Sequence, residues 1–186
     1  MASSSIRIAV LGASGRTGRL VLAEVLDHPN TTLVAAVVHK ESSALGTDAG
    51  LLAARPATGV TLVAAAPGCF NDAQVIIDFS LPAGLVSALP FVGEISLVSG
   101  TTGLSDAQHQ QLVNQSNLGA VLRADNFSTG ITVLRDLVAR ASRVLRDFDI
   151  EIVETHHRHK RDAPSGTALA LGRSAAQARG LALERV

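Results

Sequence analysis

Apolar positions along the chain follow two rhythms. Residues Ile6–Leu11 are mostly apolar and stop at Gly12, which predicts a short buried strand. From 15 to 28 the spacing turns helical, and Leu20, Val21, Val25 and Leu26 are expected to share the inner face. Pro29 and Asn30 end that helix. Residues 32–38, rich in Val and Thr, predict a second strand. The 41–59 segment carries four Gly or Pro residues and reads as a long loop with one helical turn around Leu51. A short strand at 60–64 and a buried strand at 74–79 follow, and Pro82 opens a helix at its favoured first turn. Residues 95–98 predict another strand, Ser105 caps a helix running to about Asn117, and 121–124 is strand-like. A long helical period spans 131–148 through Val133, Leu134, Leu137, Val138, Ala141 and Leu145. Residues 150–155 alternate as a strand, and a last helix at 167–178 is stopped by Gly180.

Strands and helices therefore alternate through the first two thirds. That order implies an α/β class, with a doubly wound, mostly parallel sheet covered on both faces. Two domains are expected, 1–127 and a smaller α+β part at 128–186. One long helix, one strand and one helix cannot enclose much core alone. The second part is therefore expected to be truncated, with another chain or a missing segment to cover it.

Composition narrows the picture. The chain of 186 residues is 47% hydrophobic and 17% charged, as a globular protein with a sizeable core would be. Its formal net charge is zero and it has no Trp or Tyr, which argues against nucleic acid as a partner. No apolar run reaches membrane-spanning length. The single Cys69 allows no internal disulfide, and a reducing, cytoplasmic setting is expected. Met1 to Ser5 are too few for a transit peptide and read as a ragged start.

Three features carry chemistry. The first is the turn Gly12-Ala13-Ser14-Gly15-Arg16-Thr17-Gly18, placed between the first strand and the first helix. Its G-x-x-G-x-x-G spacing is a variant of the dinucleotide fingerprint, in which missing Cβ atoms let a pyrophosphate approach the backbone and the helix start. The plainer reading is a tight turn of an α/β domain. The second strand ends in Val38-His39-Lys40-Glu41, with cations where a carboxylate would grip the NAD ribose. His39, Lys40 and Arg16 would meet a 2′-phosphate, so NADPH is expected ahead of NADH.

The second feature is a set of polar loops where strands end: Asp78-Phe79-Ser80, Gly100-Thr101-Thr102-Gly103 and Asn126-Phe127-Ser128. Ligands of open parallel sheets bind there, and these hydroxyl and amide groups would hold a carboxamide. Ordinary turns use the same residues, and Asp78 also reads as an N-cap for the Pro82 helix.

The third is His156-His157-Arg158-His159-Lys160-Arg161-Asp162-Ala163-Pro164-Ser165-Gly166-Thr167. Imidazoles move protons near neutral pH, and the Ser165-Gly166-Thr167 helix start points N–H groups at an anion. Neighbouring imidazoles splay to different faces and no Cys or spaced carboxylate completes a set, so no metal is expected. A solvated basic loop is the plainer alternative.

The 151–168 segment resembles the signature of the 4-hydroxy-tetrahydrodipicolinate reductase (dihydrodipicolinate reductase) family, and the other motifs follow that family's order from about Ile6 to Gly172. The resemblance implies NADH- or NADPH-dependent reduction of a cyclic, unsaturated dicarboxylate in the diaminopimelate and lysine pathway. It implies a Rossmann cofactor domain and a second domain that binds substrate and assembles tetramers. By motif position His156 would be the catalytic acid and Lys160 a proton donor or electrostatic partner. His157, Lys160, Ser165, Gly166 and Thr167 would hold the carboxylates. Gly12, Gly15, Arg16, Thr17 and Gly18 would meet the cofactor phosphates. Phe79, Gly100, Thr101, Thr102, Asn126 and Phe127 would line its adenosine or nicotinamide regions. Val38 stands where the family often has an acidic residue, which weighs against tight NADH use. Family members usually continue through further strands, so a homo-oligomer is expected, a homotetramer if those strands exist. A shortened, non-catalytic NAD(P)-binding relative and a reductase of another small carboxylate or imine are the alternative functions.

Overall fold

A computed structural model describes residues 5–70, 72–156, 158 and 163–183. The chain forms two compact units, 1–124 and 125–186. His157, His159 and Lys160 of the histidine run lie outside the described residues.

Unit 1 is a six-stranded parallel sheet. Its strands are β1 (Ile6–Leu11), β2 (Thr31–Val38), β3 (Leu62–Ala64), β4 (Val75–Asp78), β5 (Ser96–Ser99) and β6 (Val121–Arg123), in the spatial order β3-β2-β1-β4-β5-β6. This is the doubly wound Rossmann order, in which the direction of strand addition reverses beside β1. The period-2 rhythm explains why β1 is central. Ile8 and Val10 enter one buried cluster, while Ala9 and Leu11 enter the other on the opposite face. Helix α1 (Arg16–Asp27) covers the first face; α3 (Pro82–Ala88) and α4 (Asp106–Gln115) cover the second.

Local rules set most boundaries. Pro82 opens α3, and Ser105 closes a capping box with Gln108 at the start of α4. The helical turn around Leu51 is α2 (Ala49–Leu52), whose cap Asp48 also accepts the amides of Thr58 and Gly59. The inner face of α1 holds Val25, with Val21 and Leu26 packed beside it as the spacing predicts, but not Leu20. Gly18, Leu22 and Val25 are buried, whereas Leu20 is 69% exposed. The small Gly18 lets the helix settle against the β1 turn, and that contact rotates its inner stripe away from Leu20.

Unit 2 holds α5 (Thr129–Val144) and α6 (Gly166–Arg179), packed together. Arg179 fastens the pair by donating from Nη2 to the carbonyls of Leu145 and Phe148, at 2.7 and 2.6 Å. Gly180 ends α6 in the left-handed region at φ 73°, as its position predicts. The strand predicted at 150–155 is not formed. An extended segment needs a neighbour for its backbone groups, and unit 2 has no strand among the described residues. Helix α5 stops at Val144, four residues before the predicted end.

Candidate functional site

The glycine turn of unit 1 follows β1 directly. Gly12 and Ala13 both donate to the Val37 carbonyl at 2.8 and 3.2 Å, binding the turn to the end of β2. A Cβ on Gly18 would stand 2.1 Å from the Gly12 carbonyl oxygen, so only glycine allows α1 to start this close to the turn. Gly15 caps α1 without any side-chain hydrogen bond, and no acidic residue occupies the first turn. The opening N–H groups of a helix lack intrahelical partners. Here they stand beside exposed Arg16 and Thr17, an arrangement that fits a phosphate.

His39 and Lys40 are exposed immediately after buried Val38. Ser42 reaches back to the glycine turn, its hydroxyl 3.3 Å from that of Ser14, so the loop carrying His39 and Lys40 is tied to that turn.

The ends of β4 and β5 meet around a carboxylate. Asp78 is fully buried and pairs with Ser99 across the parallel register. Its Oδ2 accepts the Ser99 and Thr101 hydroxyls at 2.6 and 2.8 Å, and its Oδ1 accepts the Ser80 amide at 2.9 Å. Asp78 does not cap α3: Leu81 is the cap residue. Thr101 is buried with its hydroxyl turned to Asp78, while Thr102 and Gly103 are exposed. The Phe79 ring lies against Gly100, where a Cβ would stand 2.3 Å from Cε1.

In unit 2 Asn126, predicted for the cofactor, meets Thr167, predicted with Ser165 and Gly166 for the substrate, at the start of α6. Asn126 donates from Nδ2 to the Thr167 hydroxyl at 3.0 Å and accepts the Ser128 amide at 2.6 Å. Phe127 is exposed. Ser165 is the α6 cap, its hydroxyl accepting the Ala168 amide at 3.0 Å and donating to Glu154. The Ser165 amide also goes to Glu154, at 2.6 Å, and His156 Nε2 lies 2.8 Å from the same carboxylate. The Ser165 hydroxyl and amide, then the His156 ring, hold the Glu154 carboxyl down at about 2. The Gly166 and Thr167 N–H groups, within the opening turn, have no intrahelical acceptor. His157 and Lys160, predicted for the same site, lie outside the described residues.

Ser99 and Glu154 carry site geometry that motif reading missed, and Asp78, read there as a loop residue or an N-cap, has a different role, as a buried acceptor. The available signal was weak. Asp78 and Ser99 occupy equivalent strand ends before Phe79-Ser80 and Gly100-Thr101, and Glu154 precedes the histidines by two positions. Among the described residues no group of three or more His, Cys, Asp or Glu is placed to hold a metal, and no helix is long and apolar enough to cross a membrane.

Two family models match this chain: dihydrodipicolinate reductase, N-terminus, at 6–127, and dihydrodipicolinate reductase, C-terminus, at 130–185. A 4-hydroxy-tetrahydrodipicolinate reductase of Psychrobacter arcticus is 40% identical over 184 residues, 97% of this chain and 66% of the relative. One from Bradyrhizobium diazoefficiens is also 40% identical, over 97% of this chain and 68% of the relative. The chain thus spans about two thirds of the length of these relatives. A dipicolinate-bound dihydrodipicolinate reductase from Paenisporosarcina sp. TG-14 superposes with a TM-score of 0.68 at 29% identity, covering 94% of this chain and 67% of that one.

Proposed function

The chain belongs to the dihydrodipicolinate reductase family of NAD(P)H-dependent oxidoreductases, and on that premise we propose that it reduces 4-hydroxy-tetrahydrodipicolinate to tetrahydrodipicolinate. The observation that carries this reading is the start of α6. The Ser165 hydroxyl is committed to the cap and to Glu154. The Thr167 hydroxyl accepts from Asn126 and has no acceptor for its own proton among the described residues, which leaves that proton for a ligand, beside the N–H groups of Gly166 and Thr167. Three donors converging on one helix start suit a carboxylate.

The division of labour follows from the residues. The glycine turn of unit 1, with Arg16 and Thr17, would hold the cofactor phosphates. Gly100, Thr102 and Phe79 would line the base or nicotinamide region, and buried Asp78 would keep Ser80 and Thr101 in register behind them. When bound, the reduced nicotinamide supplies a hydride. His156 would supply the proton, and the substrate would take up both and lose its hydroxyl as water. Asn126 would hold Thr167 against one substrate carboxylate; Lys160 and His157 are proposed for the same dicarboxylate. We place the protein in the cytoplasm; we also read it as a homo-oligomer, which the apolar residues exposed on α5 support.

Purified protein is expected to oxidise NADPH when given freshly made 4-hydroxy-tetrahydrodipicolinate, and His156→Asn to lower kcat by about 10²-fold or more with little change in cofactor binding. Folded protein that binds NADPH without turnover would instead identify a non-catalytic relative. NADPH is proposed as the preferred cofactor because Lys40 and His39 stand where a carboxylate would serve NAD. Lys40→Ala should reduce kcat/KM for NADPH roughly tenfold and leave NADH nearly unchanged.

A further inference from the structure

Glu154 takes no part in that chemistry, yet it joins the acid to the substrate cradle. Oε1 accepts the Ser165 amide at 2.6 Å, while Oε2 takes the Ser165 hydroxyl and lies 2.8 Å from His156 Nε2. Its side chain is only 26% exposed, and its partner Ser165 is buried. Held at about 2, the carboxyl is ionised near neutral pH and can only accept hydrogen bonds. His156 Nε2 must then carry a hydrogen, which leaves Nδ1 as the nitrogen turned away from the carboxylate. Rotating the imidazole to offer Nε2 to a ligand would break the Glu154 contact.

We propose that Glu154 is a positioning residue: it fixes His156 in the Nε2–H form and fastens the imidazole to the start of α6, so that Nδ1 exchanges the proton with a bound substrate. The kinetic consequence rests on His156 being the acid, but the tautomer does not. One carboxylate thereby sets both the direction of the acid and the position of the carboxylate cradle. A carboxylate that only capped the helix would have no need of the imidazole.

The imidazole nitrogens of histidine-labelled protein report the tautomer directly by NMR. The His156 signals are identified by their loss in His156→Asn. In the neutral ring Nε2 should be the protonated nitrogen, and Glu154→Gln should shift the signals toward a mixture of both tautomers. Ser165→Ala, which removes a hydroxyl but leaves the His156 contact, should keep the native pattern. A native Nδ1–H form, or an unchanged pattern in Glu154→Gln, overturns the proposal whether or not the protein turns over. The unmodified protein alone gives the first of these results, so the test survives a Glu154→Gln chain that does not fold. Where turnover is measured, Glu154→Gln should lower kcat roughly tenfold with KM for NADPH unchanged. In a His156→Asn background the same change should alter kcat less than twofold. Equal losses in both backgrounds would mean that Glu154 does not act through His156. Absent turnover with the expected tautomer would count against the proposed reaction and leave the positioning role standing.

Discussion

Gly18 and Gly100 both occupy places where a methyl group does not fit, and the obstacle decides the cost. At Gly18 a Cβ meets the Gly12 carbonyl, backbone that cannot move without dismantling the turn; at Gly100 it meets the edge of the Phe79 ring, which can swing. Gly18→Ala should therefore cost about 2–3 kcal/mol and Gly100→Ala about 1 kcal/mol, read as shifts in the urea midpoint. Loss of NADPH binding should accompany the first. Asp78 offers a second comparison. Asp78→Asn turns one acceptor into an N–H₂ donor facing either the Ser99 and Thr101 hydroxyls or the Ser80 amide, and a loss of about 1–3 kcal/mol is expected by the same measurement. Neither effect shows in a motif, because the atoms that make these positions costly come from other segments of the chain.

At the scale of elements, α6 depends on its first residue. Ser165→Ala removes the cap to Ala168 and the hydroxyl bond to Glu154, and should cost about 1 kcal/mol or somewhat more. The same junction responds to acid. Glu154 titrates at about 2 in the fold against an ordinary value of 4.5. A lowered carboxyl stabilises the folded state above its unfolded value and ceases to do so as pH falls through the folded one. Its contribution should thus be present above about pH 4.5 and fade toward pH 2. Glu154→Gln should flatten the pH dependence of unfolding in that window, measured by urea titration at a series of pH values. An unaltered slope would remove Glu154 from the list of acid-sensitive groups. Elements themselves were legible where a local rule governs them. Pro82, the Ser105–Gln108 box and Gly180 set boundaries from within a few residues. The 150–155 segment was misread because alternation gives a strand its faces but not its partner.

Across the whole molecule the two units differ in how much apolar surface they bury. Unit 1 encloses two clusters, one on each face of its sheet. In unit 2, Val133, Leu137 and Phe148 remain 54%, 53% and 63% exposed. Helix pairs with so little buried apolar area open more readily than a central sheet. Hydrogen exchange should be slowest in β1, β2, β4 and β5, and faster by orders of magnitude in α5 of the dissociated chain. In the homo-oligomer proposed above, α5 should slow toward β1 as protein concentration rises; fast exchange of α5 at every concentration would mean that its apolar residues are not the surface that pairs.

The sequence by itself determined the alternation of elements, the parallel sheet, the glycine turn and the residues gathered at the α6 start. Each rests on short-range periodicity, on a steric property of glycine or proline, or on a motif long enough to be read as a whole. The tertiary structure decided the rest. It rotated α1 about Gly18, turned Thr101 inward to Asp78, and left Thr102 outward. It also brought Glu154 to His156 and Ser165. Glu154 and Ser165 are eleven positions apart. Which hydroxyl faces a ligand and which is spent on a neighbour follows from packing between distant segments, and no local pattern of residue types encodes that choice.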